Sequence, residues 1–171
     1  MTLLSMKKLK LLGLLRAMLK NSKRSDREIA KRMGVSQPTI TRTRMQLIKE
    51  GYIKTYTVIP DFAKLGYEIL AFTFSKMKSY PDSKEAEKIV QLAQEWVGTR
   101  HNVIFAADGE GLGKDIIMVS FHKNYSTYAD FMRSYALDWG AVISGFESFL
   151  VGLESGYKMK PFDLKYLGDD A

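Results

Sequence analysis

Cysteine is missing from this chain of 171 residues, which excludes disulfides and thiolate metal sites and suits a reducing compartment. Histidine is nearly missing too, with His101 and His122 alone. Without a His-x-x-x-His spacing on a helix, neither a metal centre nor a cofactor is expected. Long apolar runs are also absent. The opening stretch MTLLSMKKLKLLGLLRAMLK is interrupted by Lys7, Lys8 and Lys10, and no small-residue cleavage site follows it. It reads as an amphipathic helix, not as a leader or a membrane span. No period of roughly 20–50 residues repeats, and no segment is low in complexity. These absences lead us to expect a soluble cytoplasmic protein with no membrane partner.

Acidic residues are scarce where basic ones crowd. Positions 1–60 hold 14 Lys and Arg against Asp26, Glu28 and Glu50, a net of +11, while positions 61–171 hold 12 basic residues against 16 acids, a net of −4. A basic block joined to a mildly acidic one implies two modules, the first facing a polyanion.

Helical spacing joins Leu9, Leu12, Leu15 and Leu19, with Leu11 and Met18 widening the stripe. Ser25 and Glu28 have capping-box spacing ahead of the apolar Ile29, Ala30 and Met33, which predicts a helix from Asp26 to Met33. Gly34 supplies the positive φ that ends it. Ser36 then caps a third helix, with Pro38 in its first turn, where a missing N–H costs little. Ile40, Leu47 and Ile48 are expected to point inward on that helix, and Gly51 ends it. YIKTYTVIP is rich in β-formers and reads as one or two short strands, a wing.

Composition then shifts. DFAKLGY is a connector, EILAFTFSKM a strand, and KEAEKIVQLAQEW a helix; HNVIFAADGEGLGKDIIMVSFHK is a hairpin around a glycine-rich turn. STYADFMRSYALDW is a second helix and VISGFESFLVGL a last strand. The order β-α-β-β-α-β is that of a ferredoxin-like domain. The fold class is therefore α+β: a winged helix-turn-helix over residues 1–60, a connector over 61–67, a ferredoxin-like domain over 68–155, and an unassigned tail over 156–171.

The stretch SDREIAKRMGVSQPTI, with LIKEGYI and KLGYEI further on, resembles the Lrp/AsnC or feast/famine family of transcription regulators, whose pattern runs close to S-x-x-E-[IL]-A-x-x-x-G-[VL]-S-x-x-T-I. The resemblance extends from about Leu11 to Leu153. It implies a DNA-binding domain, a regulatory domain that dimerises through its sheet and often forms higher oligomers, and a small effector such as an amino acid. Three departures stand out. MKKLKLL lacks the usual Asp, Arg44 occupies a usually apolar position, and ADGEGLGKD lengthens the hairpin turn.

The expected activity is sequence-specific binding of double-stranded DNA by a homodimer or higher oligomer, without catalysis. The major groove admits an α-helix, so Gln37, Thr39, Thr41 and Arg42 are assigned to base edges. Lys23, Arg24, Ser25, Arg27, Ser36, Arg44 and Lys54 are assigned to phosphates. Asp108, Gly109, Gly111, Gly113 and Asp115 are candidate effector ligands at the hairpin turn, with the three glycines expected at positive φ. GEGLGKD is neither a P-loop, since Asp115 stands where Ser or Thr must follow Gly-Lys, nor a dinucleotide fingerprint, since a strand follows it. The alternative is an enzyme on the same scaffold, similar to haem-pathway decarboxylases, for which the adjacent Arg100 and His101 would serve.

Overall fold

A computed structural model describes residues 3–79, 82–154 and 159–168, with side chains from residue 10 onward. The chain divides into two compact units, residues 1–59 with 158–171, and residues 60–157.

In the first unit, α1 (Leu3–Lys20), α2 (Asp26–Met33) and α3 (Gln37–Lys49) enclose a core of Leu11, Leu14, Met18, Ile29, Ala30, Ile40 and Leu47. The buried stripe of α1 is thus Leu11–Leu14–Met18, shifted from the spacing expected in the sequence. Leu12 and Leu19 are only half-buried, and the Leu9 side chain lies outside the described residues. The α2 start is the expected capping box. Glu28 N–H donates to Ser25 Oγ at 3.3 Å, and Ser25 N–H donates to Glu28 Oε2 at 2.8 Å. Gly34 ends α2 with φ 64°, a left-handed conformation that an L side chain adopts at a cost. Ser36 precedes α3 but makes no side-chain bond to the helix backbone. Its hydroxyl pairs instead with Thr39 Oγ1 at 2.8 Å.

The wing is not formed as strands: residues 53–60 carry neither strand nor helix. A two-stranded wing needs a reversal, and KTYTVI offers no Gly, Asn, Asp or Pro to make one. Residues 164–168, in the tail that the sequence left unassigned, form a 3₁₀ turn packed against α1.

The second unit is a four-stranded antiparallel sheet of order β2-β3-β1-β4, built from β1 (Ile69–Met77), β2 (Val103–Gly111), β3 (Lys114–His122) and β4 (Ile143–Gly152). Two helices, α4 (Ser83–Gly98) and α5 (Tyr125–Trp139), complete the ferredoxin-like order. Asp82 caps α4, accepting from the N–H groups of Lys84 and Glu85; the expected turn before it falls partly on residues 80 and 81, outside the described set. Alternation along β1 sends Ala71, Thr73 and Ser75 to the helix side. There Ser75 Oγ meets Tyr135 Oη at 2.8 Å, and Thr73 Oγ1 meets Ser148 Oγ at 2.8 Å. Met118, Met132, Tyr135 and Ile143 form the core, with Trp96 of α4 and Phe131 packed around them. Phe72 and Phe74 project to the opposite face.

The hairpin turn is tighter than expected. β2 continues through Gly111, and Leu112 and Gly113, at φ 54° and 67°, make a two-residue turn. Gly111 also has positive φ (153°), but Gly109 does not. Both central residues of such a turn need positive φ, and Leu112 takes it with its side chain 80% exposed.

Candidate nucleic-acid interface

Ile40 and Leu47 anchor α3 to the module core at 1% and 0% exposure, which fixes its outer side by helical geometry. Gln37, Pro38, Thr41, Arg42, Met45 and Lys49 are exposed, and Thr39 is half-buried. Of the residues assigned to base edges, then, three are exposed and one is half-buried, while Ile48, expected inward, is 48% exposed.

Hydrogen bonding separates them further. Thr41 donates its hydroxyl to Asp26 Oδ2 at 2.8 Å, and Thr39 spends its own on Ser36. Both hydroxyls are thus engaged within the protein. Gln37 and Arg42 have no side-chain hydrogen bond among the described residues.

Arg44 is turned inward. Its Nε and Nη2 donate to Asp26 Oδ1 at 2.9 and 2.6 Å, and Nη1 approaches Met18 Sδ at 3.4 Å. Each side chain of the Arg44–Asp26 pair is 20% exposed. Burial opposes charge on both. For Asp26 the hydrogen bonds from Thr41 and Arg44 and the guanidinium's charge outweigh it and hold the carboxyl below its usual range. For Arg44 the bonds to Asp26 and the Tyr56 hydroxyl win in the same way and raise it. A residue assigned to phosphate is thus a brace joining α1, α2, α3 and the segment after α3. Asp26 supplies the counter-charge and the acceptors that make a half-buried guanidinium tolerable there. Sequence reading missed Asp26, whose partner stands 18 positions away; the one available signal was Arg44 itself, out of place on an inward-facing position.

The remaining phosphate candidates lie where a polyanion can reach them. Lys23, Ser25, Arg27, Ser36 and Lys54 are exposed and Arg24 is half-buried. Arg24 lines a shallow depression with Glu28, Lys31 and Arg32, so α2 adds two cations that the assignment left out. Ser25 is occupied in its capping box, and its Oγ also donates to Glu28 at 2.8 Å.

At the hairpin the five candidate effector ligands do not converge. Gly109 and Gly111 line a cavity of about 160 Å³ with Phe74, Glu110, Lys114, Ile116 and Ile117. Asp115 is instead a strut, held by Lys76 Nζ at 2.9 Å and by Met77 N–H at 2.8 Å, where β1 and β4 shift register. Asp108 and Gly113 line no part of it. The cavity falls below the roughly 300 Å³ at which small-molecule pockets begin.

The pair considered for catalysis also parts. Arg100 donates to Asp138 Oδ2 at 3.0 Å and stacks over Trp96 at 3.6 Å, while His101 is exposed. Among the described residues no group of His, Asp and Glu is arranged to hold a metal, and no helix is long and apolar enough to cross a membrane.

Comparison with known proteins agrees with this geometry. Residues 9–54 match the winged helix-turn-helix DNA-binding family. The HTH-type transcriptional regulator FL11 of Pyrococcus furiosus is 38% identical over 65 residues, a stretch spanning 38% of this chain and 43% of that regulator. AsnC of E. coli has the same fold at TM-score 0.68 and 20% identity, with 89% of this chain and 95% of that one covered. The transcriptional regulator NMB0573 of Neisseria meningitidis, solved with L-Met, superposes at TM-score 0.70 and 16% identity, covering 92% and 96%. The first module is therefore similar to winged helix-turn-helix DNA-binding domains, and the chain as a whole shares the fold of AsnC and NMB0573.

Proposed function

We propose that this protein is a sequence-specific, DNA-binding transcriptional regulator that acts as a dimer or a multiple of it. The observation that carries the reading is Arg42. It stands exposed on α3, without a side-chain hydrogen bond among the described residues, in a module of net charge +11. Arg42 reads a guanine through O6 and N7, and Gln37 an adenine through N6 and N7. Thr39 and Thr41 offer methyl groups to the bases. Lys23, Arg24, Arg27 and Lys54, with backbone N–H groups near Ser25 and Ser36, position the module on phosphates. Arg44 acts from inside, through Asp26. Pairing of two copies sets two α3 helices on related half-sites.

A small effector belongs to this reading, although the hairpin cavity beside Gly109 and Gly111 is too small to hold one within a single copy. The L-Met bound by the Neisseria regulator supports an amino acid as its class.

The test compares a duplex selected from a random library with an unselected one, by fluorescence anisotropy across salt concentrations. Arg42→Ala is expected to cost about 1–3 kcal/mol on the selected duplex and far less on the unselected one. Lys23→Ala weakens both alike and lowers the salt slope by about one. Equal losses on both duplexes for Arg42→Ala would refute base reading by that residue.

A further inference from the structure

The polar side chains of α3 are largely spent within the protein. Thr39 is paired with Ser36, Thr41 with Asp26 and Arg44 with Asp26. Thr43 donates to the Thr39 carbonyl at 2.8 Å, and Gln46 Nε2 to Glu50 Oε1 at 2.6 Å. The stripe opposite the buried Ile40 and Leu47 consists of Pro38, Arg42, Met45 and Lys49, all exposed. Arg42, Met45 and Lys49 are spaced i, i+3 and i+7, the spacing by which a helix laid in the major groove presents successive side chains to base edges.

Met45 is the anomaly in this stripe. It is a long, flexible apolar side chain, 66% exposed, between two cations on the most basic part of the molecule. A single exposed methionine is ordinary on a protein surface. Here its neighbours Arg42 and Lys49 select a polyanion as the occupant of the same stripe, and two thirds of Met45 lies open to it. In the major groove one base-edge group is apolar, the C5 methyl of thymine.

We infer that Met45 is a specificity-determining residue that reads a thymine methyl beside the base pair contacted by Arg42. The inference rests on the DNA-binding reading above and extends it to a residue that sequence reasoning did not assign. The rise from Arg42 to Met45 along the helix is about 4.5 Å. Against about 3.4 Å per base pair, this places the thymine about one step from the guanine.

The experiment selects duplexes from a random library with the full chain, then replaces each thymine of the selected site by deoxyuridine, which lacks only the methyl. The wild-type protein is expected to lose about three- to tenfold in affinity at one such position. Met45→Ala is expected to be indifferent to that replacement while keeping its preference for the guanine read by Arg42. Unchanged helicity serves as the folding control. Wild-type indifference to deoxyuridine at every thymine overturns the inference, as does an undiminished penalty in Met45→Ala. A change in oligomer size with the thymine penalty intact also overturns it, because Met45 would then be a contact between copies. If no duplex is enriched at all, the DNA-binding reading falls, and this inference with it.

Discussion

His122 is 3% exposed at the end of β3, with its Nε2 2.8 Å from Ser120 Oγ. Tyr128 and Phe131 of α5 close over the ring at centroid distances of 5.3 and 5.2 Å. Among the described residues no charged partner compensates for the lost hydration, so burial lowers its pKa from 6.5 to about 4. The direction of the linkage follows. Between those values the unfolded chain binds a proton that the folded one refuses, and stability falls as pH drops from about 6.5 towards 4. At full extent the loss is roughly 3 kcal/mol. Urea unfolding at about pH 7 and about pH 4.5 measures it. His122→Gln, which keeps a hydrogen-bonding group near Ser120, should be less stable than wild type at neutral pH and flatter in its acid dependence. Parallel pH profiles for the two proteins would show that another group carries the acid sensitivity.

Among the elements, α1 carries more apolar surface than one face requires. Leu11, Leu14 and Met18 fill the module core, yet Leu12, Leu15 and Leu19 are also at least half-buried. An apolar stripe on both sides calls for cover on both sides, and the 3₁₀ turn at Leu164–Gly168 packs against this helix. Gly168 seats it. A Cβ added there would lie 3.0 Å from the Arg16 carbonyl oxygen and 3.0 Å from Lys20 Cγ. The lysine can swing aside, but the carbonyl is fixed in the helix. Gly168→Val should therefore lift the turn and cost about 1–2 kcal/mol. That amounts to several degrees in the melting temperature of a unit this size. An unchanged melting curve would mean that the turn adds nothing to the module.

What could be read along the chain and what could not divide at the same scale. The helix-turn-helix was legible because its signals are local: Ser25 and Glu28 three positions apart, and Gly34 at the break. The strand order followed from β-formers bounded by turns. The Asp26–Arg44 brace and the tail on α1 join residues 18 and about 150 positions apart, and no periodicity announces such a contact. The hairpin misled for a different reason. Its glycines suggested a long loop, but backbone pairing continued through Gly111 because glycine obstructs neither a bulge nor a strand end.

For the molecule as a whole, the decisive surface is the face of the sheet that α4 and α5 leave open. Register places Phe105, Val119, Phe72 and Phe149 in one row across all four strands on that face. Phe62 and Tyr67 of the connector cover one end of it by packing on Phe121, with ring centroids 4.2 and 5.6 Å apart. Phe149 of β4 and Phe105 of β2 stand at the two edges of the row, 68% and 52% exposed. Aromatic side chains aligned on a regular surface are a poor match for water and a good one for a second identical row, by two-fold symmetry. A charge in the middle of that contact would be desolvated without a partner. Phe149→Glu should therefore weaken self-association at least tenfold, seen by sedimentation as a shift to monomer at micromolar concentration. On DNA the same variant should lose affinity for a duplex with two half-sites and keep it for a single half-site, because α3 is untouched while the link between copies is gone. Unaltered sedimentation of Phe149→Glu would move the dimer contact away from this face. A matching loss on single half-sites would mean that the substitution had damaged the fold and not the pairing.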